Sequence, residues 1–208
     1  MSWMQVVGGL VGGSISIAVA AGIALAEPKK DDVSLPKMDP QMEAMMAEMA
    51  KYAAPGPEHK WLDPLVGKWT MSNKSWMAPG DPHVSDGTAE YKWILDGRFM
   101  TYAAKGLMWG QPFEGFELIA YDRRAKNYSA IWVDNTSTAL YTISSGSYDD
   151  ATKTFTFNAE WPNPMGEGKT PYKMTTKILG PDSHVFTMYD VSGGKETKMM
   201  ETTYTRAK

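Results

Sequence analysis

Four charged side chains stand inside aromatic-rich stretches that have the alternating pattern of β-strands: Glu90, Arg98, Glu117 and Asp134. A charge that faces an apolar interior must be paired or must shift its pKa, which is how acid–base sites are built. The sequence fixes no distance between the four residues, and each also suits a solvent-facing position. We therefore assign no catalytic residue and keep an enzyme that uses strand carboxylates as an open alternative.

Metal and cofactor chemistry finds little support in the sequence. The histidines, His59, His83 and His184, are far apart and lack the spacing of zinc ligands. Cysteine is absent, so thiolate ligands and disulfides are excluded, and phosphate-loop and nucleotide motifs are missing as well. We expect no metal and no cofactor. Because His184 follows Pro181 and Asp182, we predict that it lies on a surface turn.

Four methionines repeat at helical spacing: Met42, Met45, Met46 and Met49. Asp39 suits an N-cap and Pro40 the first helical position, so a helix is predicted over residues 39–53. Thioether sulfur can bind Cu(I), but a flexible methionine stripe is more typical of a packing face. That face packs either on this domain or on another protein, and we assign it to partner docking.

The rest of the chain predicts an all-β fold. Turn residues divide it into ten strands, at 66–77, 86–95, 98–107, 113–122, 127–135, 138–148, 153–161, 171–179, 183–191 and 196–206. A two-residue hairpin turn is predicted at Asp96-Gly97, since glycine tolerates positive φ. No helical pattern separates the strands, so an antiparallel up-and-down barrel, which leaves no unpaired edge, is the expected closure. The 8 Trp and 10 Tyr supply the bulk to fill or line it.

The chain changes character between residues 59 and 69. Trp61 and Leu62 predict a short helical lid that ends at Pro64, and Gly67 predicts a bend into the first strand. These boundaries give a membrane or signal segment at 1–26, a linker with the methionine helix at 27–56, and a barrel domain at 57–208.

The N-terminal segment is apolar. Residues 3–26 carry no charged side chain and would extend about 36 Å as a helix, enough to cross a bilayer. The Ala-Leu-Ala sequence before Glu27 also fits a cleavable export signal. Either interpretation places the domain outside the cytoplasm, on the periplasmic side of a membrane, and we favour a retained anchor. Closely spaced small residues would let a partner helix approach in lipid: Gly8, Gly9, Gly12 and Gly13.

The charge distribution excludes one class of partner. The 21 basic and 24 acidic side chains are interspersed and give a net charge of -3. No basic stripe is available for a phosphate backbone, so nucleic acid is not an expected partner.

A series of short motifs runs through the strand region: His59 with Leu65-Val-Gly-Lys-Trp69, Gly87-Thr-Ala-Glu-Tyr91, Trp93-Ile-Leu-Asp-Gly-Arg-Phe99, Pro112-Phe-Glu-Gly115, Tyr121-Asp122, Trp132-Val-Asp134, Gly146-Ser-Tyr-Asp149 and Met200-Glu-Thr-Thr-Tyr-Thr205. Together, over residues 57–206, they resemble a bacterial family of uncharacterised domains related to the lipocalin-like (calycin) barrels. The resemblance implies a barrel of about ten strands with a central cavity and brings no catalytic role. Related barrels in the wider superfamily include haem binders that use a single histidine, for which His184 is the candidate.

A lipocalin-like barrel can hold one small ligand, although the same aromatic residues would simply pack if the barrel were flattened. The candidates for lining a cavity are Trp69, Glu90, Trp93, Arg98, Phe116, Trp132 and Asp134. We expect a non-catalytic, membrane-anchored accessory subunit that docks on an integral membrane protein through its small-residue span and its methionines. The alternative is a carrier or sensor of a small apolar molecule.

Overall fold

The computed structural model describes residues 39–163 and 166–208. One α-helix, α1 (Pro40–Ala53), is followed by a 3-10 segment, Pro57–Leu65, which we call the plug segment. The ten strands are β1 (Gly67–Ser75), β2 (His83–Ile94), β3 (Phe99–Met108), β4 (Gln111–Asp122), β5 (Asn127–Asp134), β6 (Tyr141–Asp149), β7 (Thr154–Pro162), β8 (Lys169–Gly180), β9 (Ser183–Asp190) and β10 (Thr197–Arg206). A second 3-10 turn, Ser192–Gly194, connects the last two strands.

The strands form a closed antiparallel barrel. Each strand pairs with its neighbours in the chain, and β1 closes the sheet against β10 from the pair Trp69–Arg206 to the pair Ser75–Met200. Closure leaves no row of unpaired backbone groups, which is why ten short strands without disulfides suffice. The predicted up-and-down barrel of about ten strands is confirmed.

The β2–β3 connection differs from the predicted two-residue turn. The ladder ends at the pair Ile94–Phe99, so the loop has four residues, and φ is positive at Leu95, Asp96 and Gly97. The Arg98 amide donates to the Leu95 carbonyl at 3.3 Å and closes the loop. The next connection, Trp109-Gly110, is the true two-residue turn, with φ values of 50° and 78°.

Aromatic side chains fill much of the barrel interior. Residues of each strand alternate between an inward and an outward face, and the inward face carries the buried core. Its most deeply buried large members are Trp69, Met100, Tyr128, Phe155 and His184. Rings of this size span the barrel where aliphatic side chains would leave voids.

The plug segment closes one end of the barrel. His59, Leu62 and Leu65 are buried against the strands, and the Trp69 indole donates to the Leu65 carbonyl at 2.7 Å. Gly67 has a φ of 125° and makes the bend into β1. The predicted helical lid and the Gly67 bend are confirmed, and the segment runs one residue past Pro64.

The methionine helix is confirmed as α1, and its C-terminal end rests on the barrel. Arg98 donates to the Ala53 carbonyl at 2.9 Å, and Arg123 donates to the carbonyls of Lys51 and Ala54. Positive charge at the last carbonyls of a helix offsets its dipole and satisfies acceptors that have no partner within the helix.

The predicted membrane or signal segment, with Gly8, Gly9, Gly12 and Gly13, and the linker at 27–37 lie outside the described residues. None of the three described helical segments combines the length and the apolar character needed to span a bilayer.

Candidate functional site

The plug segment packs on one end of the barrel interior. Near it Trp69 and His184 are buried and Trp93 and Tyr148 are partly buried, and nearer the opposite end several inward-facing side chains keep accessible surface. We call this second region the open half; its partly accessible inward residues are Met71, Asn73, Phe113, Glu117, Trp132, Phe157 and Met188. The connections β1–β2, β3–β4, β5–β6, β7–β8 and β9–β10 surround its mouth.

Three tyrosines form a buried group at the base of the open half. The hydroxyls of Tyr102 and Tyr204 are 2.7 Å apart, and the Tyr91 ring lies 4.5 Å from the Tyr102 ring. Burial raises the pKa of all three phenols, and for Tyr91 and Tyr102 the rise is large. The hydroxyls therefore stay protonated and act as hydrogen-bonding groups rather than as bases.

Glu117 is the ionisable group of the open half. It sits on β4 directly between Tyr102 on β3 and Trp132 on β5, whose rings come within 6.0 Å of each other. Its side chain keeps accessible surface although protein surrounds it, and burial raises its pKa to about 7. Within the described part of the chain, its carboxylate has no hydrogen-bond or ion-pair partner.

Trp132 is held in position by its surroundings. Its indole N–H donates to Asp134 at 2.7 Å, and its ring covers Gly115, where any side chain would collide with it. Phe113 stacks on the other part of the ring, with centroids 6.3 Å apart. Burial acts to raise the pKa of Asp134, but hydrogen bonds from Thr136 and Trp132 outweigh it and hold that pKa below its usual value. Asp134 therefore remains a carboxylate at the mouth.

The interior lacks a cation that could balance Glu117. Among the described inward-facing strand positions, Arg206 is the only lysine or arginine, and it lies at the plug end. Its guanidinium stacks 4.2 Å from the Trp69 ring centroid and donates to the carbonyls of Pro64, Val66 and Pro181. All of its contacts point away from Glu117, so the open half carries uncompensated negative charge.

His184 lies inside the barrel rather than on a surface turn, which corrects the prediction. The β8–β9 turn has only two residues, Pro181 and Asp182, so His184 is already the second residue of a strand and faces inward with 1% exposure. Its ring stacks on Tyr204 at 4.2 Å and meets Trp69 edge-on at 4.4 Å. Burial, with a smaller contribution from Arg206, lowers its pKa to about 3.

Neither ring nitrogen of His184 has a hydrogen-bond partner among the described residues. A haem iron would need open space beside one of them, and the packed rings leave none. The residues at this position do not fit a haem site. More generally, no three His, Asp or Glu side chains in the described ranges gather closely enough to hold a metal ion.

Four of the seven predicted cavity residues face the interior. Trp69 and Trp93 lie at the plug end, where the Trp93 indole donates to Asp63 at 2.9 Å. Trp132 and Asp134 lie in the open half. These two pairs do not form one site.

The other three predicted cavity residues lie on the outside. Glu90 pairs with Lys92 at 2.6 Å, Arg98 binds the end of α1, and Phe116 is 41% exposed. Sequence reasoning missed Tyr91, Tyr102 and Tyr204 as site residues. Strand alternation was the usable signal, because Tyr91 is two residues from the inward Trp93.

Comparisons with known proteins agree with this fold. A family model described as "Protein of unknown function (DUF1579)" matches residues 54–206, and no curated protein matches the sequence. The crystal structure of Rv2717c from M. tuberculosis has 14% sequence identity and a TM-score of 0.54, with 74% of this chain and 100% of that chain covered. The S-type phycobiliprotein lyase CPES from Guillardia theta has 9% identity and a TM-score of 0.48, with 73% of this chain and 93% of that chain covered.

The likeness to Rv2717c concerns the fold alone, because the identity is low. The family match covers most of the chain and confirms the resemblance to uncharacterised domains with a lipocalin-like barrel. This protein therefore belongs to the family of proteins of unknown function DUF1579.

Proposed function

We propose that this protein is a non-catalytic carrier or sensor that holds one small, largely apolar molecule in the open half of its barrel. The observation that carries the proposal is the combination of groups in the open half. Met71, Trp132 and Phe157 face inward and keep accessible surface, and the carboxyl of Glu117 lies on the same interior face without a partner among the described residues.

The chemistry of the open half supports ligand binding. Ligand sites combine mainly apolar and aromatic walls with a few polar groups that orient the molecule. Here the rings of Phe113 and Trp132 supply wall area, and the Tyr102 hydroxyl and the Glu117 carboxylate supply polar contacts. The tyrosines remain protonated, so they act in recognition rather than as bases.

The test is to fill the open half with protein. Met71→Trp adds an indole to the inward face of β1, and Ser72→Trp adds the same group to the exposed outward face one residue later. N-phenyl-1-naphthylamine, an uncharged apolar dye, reports binding by fluorescence. We expect wild type and Ser72→Trp to bind one equivalent, and Met71→Trp to bind at least tenfold more weakly.

Cooperative thermal unfolding of each variant establishes that it is folded. Native mass spectrometry of the mildly purified wild type provides a second readout, because a resident ligand would appear as a discrete added mass. If folded Met71→Trp and wild type bind the dye equally well, the dye binds outside the barrel and the proposal is contradicted.

A second candidate function rests on α1. Met42, Met45, Met46 and Met49 are each about half exposed, between 49% and 54%, and no residue of the helix is buried. The methionine face is therefore unoccupied by the described part of this domain. Its adaptable thioether surface supports docking on a partner protein.

In this second candidate, residues 3–26 anchor the protein in a bilayer with the barrel on the periplasmic side, and a membrane protein is the partner. An anchor raises the effective concentration at such a partner, so modest contacts suffice. The test compares polypeptides that co-purify with the wild type, with a variant lacking residues 1–54, and with the quadruple Met→Gln variant of α1. A partner retained by both variants would contradict this function.

A further inference from the structure

We propose that the ligand of the open half is an organic cation, an ammonium group on an apolar or aromatic body, which pairs with Glu117 beside the rings of Tyr102 and Trp132. The inference rests on the proposed function and specifies its ligand class. Three features of the open half support it: the charges that face the interior, the placement of the aromatic rings, and the poorly solvated carboxylate of Glu117.

The charge balance of the open half favours a cation. Glu117 faces the interior, and Asp134 and Asp190 are inward-facing acidic residues at the mouth. Arg206 is fully engaged at the plug end by three carbonyls and the Trp69 ring. A cation that enters from the mouth therefore meets carboxyl groups and no lysine or arginine among the described inward-facing side chains of the open half, whereas an anion would be repelled.

The ring placement favours an ammonium group in particular. Tyr102 and Trp132 lie on the strands either side of Glu117, with their ring centroids 6.0 Å apart and an angle of 32° between their planes. Tyr91 and Phe113 extend this aromatic wall on either side. Aromatic rings next to a carboxylate attract a quaternary ammonium group through cation–π interactions as well as through the ion pair.

The solvation of Glu117 supports the same ligand class. A carboxylate that is largely enclosed by protein and has no protein partner is costly when ionised, and this cost is what raises the pKa of Glu117 to about 7. A bound cation removes the cost, so the carboxylate and the cation stabilise each other. A neutral ligand offers the ionised carboxylate no such compensation.

The other interior groups with shifted pKa values do not titrate near neutral pH. The phenols of Tyr91, Tyr102 and Tyr204 have raised pKa values, Asp134 has a lowered one, and His184 has a pKa of about 3. Between pH 6 and pH 8.5, Glu117 is therefore the group in the cluster whose charge changes.

The experiment uses a matched pair of probes that differ in one atom. Benzyltrimethylammonium carries a permanent positive charge, and neopentylbenzene replaces its nitrogen with carbon and is uncharged. Binding to the full chain is measured by NMR titration at pH 6 and pH 8.5. The variants are Glu117→Gln and, as a control, Glu114→Gln, which neutralises an outward-facing carboxylate of the same strand that pairs with Lys105.

At pH 8.5 we expect the cation to bind at least tenfold more tightly than its neutral counterpart. Its affinity should fall about tenfold between pH 8.5 and pH 6, because protonation with a pKa of about 7 removes the carboxylate charge. Glu117→Gln should abolish both effects, and Glu114→Gln should keep both. The pH dependence of the wild type keeps the test informative even if Glu117→Gln folds poorly.

Equal affinity for both probes, unchanged by Glu117→Gln, would overturn the cation inference and leave the proposed function standing. An affinity for the cation that rises toward acid pH would overturn it too. If neither probe enters the folded wild type at millimolar concentration, the proposed function fails together with the inference.

Discussion

The plug end and the open half of the barrel use the same residue types in different ways. At the plug end, three aromatic polar atoms have fixed partners: the Trp69 indole donates to Leu65, the Trp93 indole donates to Asp63, and the Tyr128 hydroxyl donates to the Glu58 carbonyl at 2.6 Å. The exception there is His184, whose ring nitrogens have no partner among the described residues. In the open half, the group without a partner among the described residues is the carboxyl of Glu117.

This difference separates stability from binding within one barrel. A paired and sealed region contributes to the free energy of folding, and an unpaired buried charge subtracts from it. Proteins keep such a cost mainly at functional sites. The unpartnered carboxyl of Glu117 is therefore the feature that motivates the proposed ligand site in the open half.

The sharpest test of the contrast compares two tryptophans. Trp69→Ala removes a ring with 1% exposure and leaves a cavity at the plug end, so we expect it to lower the free energy of unfolding by about 3–5 kcal/mol. Trp132→Ala removes a ring that is already partly solvated and should cost less than half as much. Urea denaturation measures both; equal losses would remove the distinction between the two ends.

His184, at the plug end, should make the free energy of unfolding fall at acid pH. His184 has a folded-state pKa of about 3 and an unfolded value near 6.5, so the unfolded chain binds more protons between these values. Stability should fall as pH drops from 6.5 toward 3, by up to about 4 kcal/mol. His184→Phe keeps an aromatic ring there and should reduce this acid-dependent loss of stability. The same substitution at the exposed His83 is the control and should leave the acid-dependent loss unchanged.

Glu117, in the open half, should have the opposite effect and make the free energy of unfolding fall as pH rises. The folded-state pKa of Glu117 is about 7 and its unfolded value is about 4.5, so its favourable contribution is complete below pH 4.5 and is lost as pH rises through 7. The loss should be at most about 3 kcal/mol. Glu117→Gln should remove it, and thermal unfolding between pH 5 and pH 8 is the measurement. An identical slope in wild type and variant would mean that Glu117 is solvated.

The tyrosine pair at the base of the open half should have a smaller effect. Tyr204→Phe leaves the buried Tyr102 hydroxyl without its 2.7 Å partner and should cost about 1–2 kcal/mol. Tyr189→Phe, on the outward face of β9, should change the free energy of unfolding by less than about 0.5 kcal/mol. Chemical denaturation at pH 5, where Glu117 is mostly protonated, compares the two variants.

The methionine face of α1 should have the smallest effect. Met42, Met45, Met46 and Met49 bury nothing against the described domain, so each Met→Gln substitution should change stability by less than about 0.5 kcal/mol. A large loss in thermal unfolding of the isolated protein would show that this face packs on the protein itself, and the second candidate function would lose its basis.

The architecture was predictable because it depends on local signals. Turn residues and the absence of helical patterns predicted all ten strands, and proline and glycine positions predicted the plug segment and α1. The predicted turn at Asp96-Gly97 was at the right place with the wrong length. Loop length depends on where pairing with the neighbouring strand stops, and a single hairpin sequence does not determine that.

The site was less predictable from the sequence. Which side chains point into the barrel depends on the strand register and on how the sheet closes. Phe116 and Glu117 are neighbours, and a shift of one residue exchanges the inward and outward faces of β4. His184 was misplaced because the turn before it is only two residues long. Tyr102 and Tyr204 are distant in the chain, and their hydroxyls come within hydrogen-bonding distance only because the barrel closes.

The most direct test of the central claim is a carbon-13 NMR titration of the Glu117 side-chain carboxyl carbon, with and without benzyltrimethylammonium. We predict a pKa near 7 in the free protein that falls by at least one unit when the cation binds. A pKa near 4.5 in the free protein, or one that the cation leaves unchanged, would contradict the account of the open half as a cation-binding site.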